Sequence, residues 1–147
     1  MKRALKIVGV GVVVAAAYAV GRAQGKAIDS AVVSASQSTL AEQAAWGEFH
    51  AYYEGATSQT PAMLMGIADI KPGQQNHAPH QHADEEFLYL IDGDGTWTLG
   101  DKTMPAHAGD ILYSAPGVLH GIKNTSEKPL KWLVVLCRNE WLSPRRR

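Results

Sequence analysis

Between Trp46 and Cys137 the apolar residues come in short runs separated by glycine turns. "AMLMGIADI" reads as a buried strand ended by Lys71-Pro72-Gly73. "FLYLI" stops at Asp92-Gly93 and Asp94-Gly95, "TWTL" at Gly100-Asp101-Lys102, and "TMPAH" at Gly109-Asp110. "ILYSA" runs to Pro116-Gly117, "GIK" to Asn124-Thr125, and "LKWLVVLC" from Leu130 to Cys137. Turns every eight to twelve residues with almost no helical periodicity predict an all-β antiparallel sandwich or barrel.

The ends of the chain follow other patterns. Residues 1–23 open with Lys2, Arg3 and Lys6, continue with the uncharged run Ile7 to Val20, and then offer small residues as peptidase sites. Fourteen uncharged residues are short for a spanning helix and match the apolar part of a signal peptide, with an uncleaved membrane anchor as the alternative. Either way the positive end stays inside and the body is expected outside the cytoplasmic membrane, exported or anchored. Residues 24–45 read as a linker rich in Ala, Ser and Gln. "TLAE" (Thr39 to Glu42) has the spacing of a capping box, so a short helix is expected there. Residues 46–142 form the predicted barrel and 143–147 a basic tail.

Composition narrows the function. A chain of 147 residues, 46% of them apolar, supports one packed domain. The formal net charge is zero and the basic residues gather at the two ends, which argues against nucleic acid as a partner. Cys137 is the only cysteine, so neither an internal disulfide nor a thiolate-rich zinc site is available.

"HAPHQHADEEFLYLIDGDG" (His77 to Gly95) sets three histidines and three consecutive acids against a hydrophobic strand. His80 and His82, one residue apart, are expected on one face of a strand, where two nitrogen ligands can converge on one ion. Glu86 follows after a bend and shares its strand face with Leu88 and Leu90. Burial there is costly for a carboxylate unless it is paired or ligates a metal. His120, after Pro116-Gly117, supplies a third imidazole from a distant strand. Asp84 and Glu85 read as the solvated side of the bend, and His77 as a pocket or exposed residue. His50 and His107 read as ordinary polar positions, and Cys137 as a core thiol.

These residues resemble the cupin superfamily, specifically its small single-domain members. The first motif is matched by Gly73, His80, His82, Glu86 and Gly93, with one extra residue between Gly73 and His80. The second is matched by Gly109, Gly117, His120 and Asn124 in "GDILYSAPGVLHGIKN", with Ala115 standing where the family usually has proline. The resemblance implies an antiparallel jelly-roll barrel. It also implies that His80, His82, Glu86 and His120 ligate one divalent transition metal, with iron, manganese, nickel, copper and zinc as the candidates. The implied activity is metal-dependent chemistry on a small organic molecule, of dioxygenase, decarboxylase, isomerase or lyase type, with Glu86 as ligand and base in turn. The rival reading is an exported barrel that binds a metal ion or small ligand without chemistry. Tyr52, Tyr53, Trp97 and Tyr113 are candidates either for the pocket or for packing. Phe87, Tyr89 and Ile91 face away from Glu86. They form a homodimer face of the kind small cupins use, or they pack beneath the N-terminal segment.

Overall fold

The computed structural model describes residues 27–138. The apolar N-terminal run and the basic tail lie outside the described residues. Among the described residues no helix is long and apolar enough to cross a membrane.

Nine strands make up the described chain: β1 (Thr39–Ala44), β2 (Gly47–Gly55), β3 (Ala62–Ile70), β4 (Glu85–Asp92), β5 (Asp94–Leu99), β6 (Lys102–His107), β7 (Ile111–Ser114), β8 (His120–Asn124) and β9 (Leu130–Arg138). Six form one antiparallel sheet in the order β1-β2-β3-β9-β4-β7, and three form a second in the order β6-β5-β8. Strict alternation of buried and more open positions along β3 and β4 gives each strand one apolar face. Those inner faces enclose a core that includes Ile70, Leu88, Leu90, Trp97, Leu130 and Trp132. Removing each large side chain of this kind from water contributes roughly 1.5–3 kcal/mol.

β9 lies between β3 and β4, so the last of the described strands joins the two halves of the larger sheet. Its register aligns inward-facing rows across the strands. Leu64, Leu136, Glu86 and Ser114 form one row, and Leu88 lies between Val134 and Leu112 in the next. Glu86 therefore heads a column of leucines on β4, as the spacing with Leu88 and Leu90 predicts.

The helix expected at Thr39 is absent. Thr39–Ala44 is strand β1, paired with β2 from Thr39↔Ala51 to Ala44↔Gly47. Glu42, the acid of the apparent capping box, instead accepts a hydrogen bond from Trp46 Nε1 at 3.1 Å. The reciprocal cap occurs five residues earlier, where Ser34 N–H donates to Gln37 Oε1 and opens a single 3-10 turn, Ala35–Gln37. Pairing with β2 and the anchoring of Trp46 outweigh the weak local helix signal.

The outer face of the larger sheet is also apolar. Met65, Val135, Phe87 and Tyr113 stand in register across β3, β9, β4 and β7, as do Ile67, Leu133, Tyr89 and Ile111. Trp97, read from the sequence as pocket or packing, is core, while Tyr113 is exposed on this outer face with its hydroxyl donating to Glu85. Tyr53 donates to the carbonyl of Ala56. Cys137 also departs from expectation: it pairs across from Met63 and Glu85 and is only partly buried. Burial, then the charges of Glu85 and Asp84, pushes its thiol up, which leaves it a poor nucleophile.

Candidate metal centre

Three separate stretches converge at one end of the barrel. Backbone bonds in both directions between His80 and His120 form an isolated antiparallel bridge, at 3.0 and 2.8 Å. His82 lies beyond this bridge in an extended bend, and no regular strand holds the His-x-His pair. The chain then turns into β4, which begins at Glu85 and carries Glu86 inward. His120 opens β8 immediately after the turn through Gly117.

His80, His82, Glu86 and His120 each present one donor atom, and these atoms lie within 4.8 Å of one another. The rings of His80 and His120 are 4.7 Å apart, those of His82 and His120 4.8 Å, and those of His80 and His82 5.2 Å. Glu86 is 5% exposed and His120 only 1%. One oxygen of Glu86 receives both His82 Nε2, at 2.7 Å, and His120 Nε2, at 3.3 Å.

Backbone carbonyls orient two of the rings. His120 Nδ1 is 2.8 Å from the carbonyl oxygen of Val118, which can only accept. Nδ1 therefore carries a proton; Nε2 donates to Glu86 when the ring is doubly protonated, and loss of that second proton frees its lone pair for a cation. His82 Nδ1 lies 3.1 Å from the carbonyl of Asp84 and can be set in the same way. A ligand imidazole anchored through its second nitrogen is the usual arrangement around a metal. Ser114, fully buried, braces His120 Nδ1 at 2.9 Å. The series Ser114, His120, Glu86 looks like a nucleophile with its base and acid, but a wholly buried hydroxyl cannot meet a substrate.

The electrostatics suit a cation. Burial raises the Glu86 pKa, but hydrogen bonds from His120 and His82 outweigh it and hold the carboxyl down to about 2. Burial, and then the neighbouring His77 and His120, lowers His80 to about 4, so at neutral pH the ring is neutral and one nitrogen offers its lone pair. Burial also opposes charge on His120, yet the hydrogen bond with Glu86 and the Val118 carbonyl raise its pKa above the ordinary value. His80 Nδ1 is buried without a hydrogen-bond partner. An orphaned nitrogen of this kind carries a desolvation cost that coordination removes. The donors, their charge states and this orphan all fit a divalent transition metal.

Protons and a cation compete for these nitrogens. His120, with its raised pKa, takes a proton first as pH falls, whereas His80 takes one only near about 4. Zinc or cobalt affinity is therefore expected to hold above His120's pKa and to weaken steadily as pH falls through it. Competition titrations between pH 5 and 8 read this directly, and a flat profile would contradict it.

Sequence reasoning placed the remaining ionisable residues unevenly. His77 is exposed and stands edge-on to His80 at 4.1 Å, outside the four converging donors. His50 meets Glu48 at 3.3 Å and His107 meets Asp94 at 2.8 Å, both away from the cluster. Asp84 is the correction: it is 7% exposed rather than solvated, and Arg138 binds its carboxylate through two hydrogen bonds. Sequence reading missed Arg138 and Ser114. The only signal for either is the register of β4 against β9 and β7, which no local pattern carries.

The fold is thus a small antiparallel barrel that gathers three histidines and one glutamate, a donor set able to hold a metal ion. Residues 66–136 match the family described as "Cupin domain", which supports a small barrel of the cupin type. It is 34% identical over 76 residues to the "Oxalate-binding protein" of Thermotoga maritima, covering 51% of this chain and 62% of that one. It is 29% identical over 83 residues to the "Gentisate 1,2-dioxygenase" of Streptomyces sp, covering 55% of this chain and 23% of that one. Both alignments take in less than two thirds of the relative's own length. Among solved structures, the "predicted oxalate decarboxylase" of Thermotoga maritima superposes with a TM-score of 0.60 at 24% identity, over 74% of this chain and 100% of that one. That likeness shows the fold.

Proposed function

We propose that His80, His82, Glu86 and His120 hold one divalent transition-metal ion and that the protein uses it to bind and transform a small organic acid. The observation that carries this reading is the convergence of three imidazoles and a carboxylate within 4.8 Å. The donor set suits iron, manganese, nickel, copper or zinc. Such an ion, when bound, supplies a Lewis acid and, if redox-active, a centre for oxygen chemistry. The protein's own groups do the rest. Val118 and Asp84 carbonyls turn two rings, Ser114 braces one of them, and the leucines around Glu86 keep bulk water from its inner side. A carboxyl held down to about 2 gives up its proton too readily to serve as a strong base, so Glu86 acts first as a ligand.

The substrate class rests on the relatives, one named for oxalate and one for gentisate, both carboxylates. A second reading, capture without turnover, is favoured by the relative named as a binding protein. Calorimetry with oxalate and a series of small mono- and dicarboxylates tests both readings on metal-loaded and chelator-treated protein. Binding is expected only in the loaded form, weakening by about a hundredfold or more on chelation. Product analysis by mass spectrometry then separates an enzyme from a carrier. Loaded protein that binds no carboxylate sinks the proposal.

Two further elements belong to the same reading. The N-terminal run carries the barrel out of the cytoplasm, which cell fractionation of the full-length chain tests. The outer sheet face is a homodimer interface, its partner a second copy of this chain. Phe87, Tyr89, Ile91 and Tyr113 are 38–45% exposed and Ile111 is 66% exposed. With side chains of roughly 150–250 Å² each, that leaves about 400 Å² open, comparable to the largest apolar patch of a typical monomer and half of a standard interface of ~800 Å² per partner. The half-buried Leu133, Val135, Met65 and Ile67 continue the rows and extend that area. Tyr89→Asp is expected to convert a dimer to a monomer in sedimentation, with the fold unchanged. A parent that sediments as a monomer gives this face to another occupant.

A further inference from the structure

The bend that joins His82 to Glu86 is held from outside the site. Asp84 lies between those two residues, and its buried carboxylate receives Arg138 Nε at 2.8 Å on one oxygen and Nη2 at 3.2 Å on the other. Arg138 closes β9, and the register that sets Glu85 opposite Cys137 brings it beside Asp84. The ion pair thus extends the β4–β9 pairing by one residue, into the irregular bend. A planar fork on a carboxylate fixes orientation as well as distance, which a lysine ammonium does not.

The backbone of Asp84 in turn faces His82 through both of its polar groups. Its carbonyl oxygen lies 3.1 Å from Nδ1 and its amide nitrogen 3.3 Å from the same atom. The two bonds exclude one another. With the ring proton on Nδ1, the ring donates to the Asp84 carbonyl and its Nε2 lone pair points at the other donors. With Nδ1 bare, it accepts from the Asp84 N–H, and Nε2–H donates to Glu86 Oε2 at 2.7 Å. The backbone of one residue therefore supports both tautomers without turning the ring, provided that this backbone stays in place.

We propose that Arg138 is a positioning residue: by clamping Asp84 it keeps the His82 imidazole aimed at the cluster and so sets the affinity for metal. This rests on the reading of the four residues as a metal site. A staple that served the fold alone would lower thermal stability and leave metal affinity and the His82 tautomer as they are.

Cobalt(II) is the probe, titrated by visible absorbance into the full-length chain in mild detergent, with imidazole ¹⁵N shifts of His82 as a second readout. Arg138→Met, which keeps much of the apolar stem, is expected to weaken cobalt binding by about 10–100-fold, the usual range for an outer partner of a ligand. Arg138→Lys is expected to fall between that variant and the parent. In both, the His82 ring nitrogens should move from the shifts of one tautomer toward an average of two. Parent-like affinity, within about twofold, in Arg138→Lys and Arg138→Met overturns the proposal. If Arg138→Met does not fold, Arg138→Lys decides alone: a weakening of several-fold supports the clamp and parent-like binding overturns it. A parent chain that binds no cobalt overturns both this proposal and the metal site, whereas parent-like variants overturn only the clamp.

Discussion

His82→Ala is expected to lose the bound metal almost entirely. The full-length chain, purified without chelator or added histidines, should carry about one equivalent of a transition metal by elemental analysis, and the variant less than about a tenth of it. The reason is geometric. His82 Nε2 is the nitrogen closest to Glu86, at 2.7 Å, and His82 is one of only two donors supplied by the irregular stretch before β4. Without it, two imidazoles and a carboxylate remain, and the buried Glu86 keeps only His120 as a hydrogen-bonding partner. His82 is partly exposed, so truncation leaves a gap that water can fill and the barrel should still fold. A folded parent that stays metal-free after reconstitution with each of the five candidate metals would remove the metal-dependent reading. The identity of the ion, once measured, selects among reaction types: iron or copper favours oxygen chemistry, and manganese, nickel or zinc favours decarboxylation or isomerisation.

The second large effect concerns the fold. Gly47→Ala is expected to cost at least about 3 kcal/mol or to prevent folding, read from urea denaturation in chelator so that metal binding does not mask it. A Cβ at residue 47 would lie 1.9 Å from the carbonyl oxygen of Asp69, a backbone atom of β3 that cannot move aside, and φ there is +145°. Gly47 begins β2 and pairs with Ile70, so the clash falls where the β1–β2 hairpin is fixed to the sheet. Gly73→Ala is the matched control. Its φ is +72° but nothing lies within 4 Å of the added carbon, so only conformational strain of roughly 1–2 kcal/mol applies. Equal costs at the two positions would show that the hairpin does not pack on β3 as described.

Much of the site was legible because it depends on local features. The His80-x-His82 spacing and the bend before Glu86 mark the donors without any knowledge of neighbours. Glu86 shares its face with Leu88 and Leu90 through simple alternation, and all three are buried. The turn glycines placed the strands from β3 onward for the same reason. The misreadings at Thr39 and Asp84 share a different cause. Each residue's environment is made by a strand elsewhere in the chain: β2 takes up Thr39–Ala44, and β9 brings Arg138 to Asp84. A run of three acids looks solvated until one of them meets a guanidinium 54 residues away.

By itself, the sequence determined the class of the fold, the strand positions after residue 62 and which four side chains come together at one end. Alternation, turn chemistry and ligand spacing act over a few residues and are written directly in the chain. Only the tertiary structure decided that β9 lies between β3 and β4, that Asp84 is buried, and that an apolar surface is left on the outer side of the larger sheet. These depend on which strands become neighbours and in what register. That choice is made by the packing of the whole core, because many pairings of the same strands satisfy the local pattern equally well.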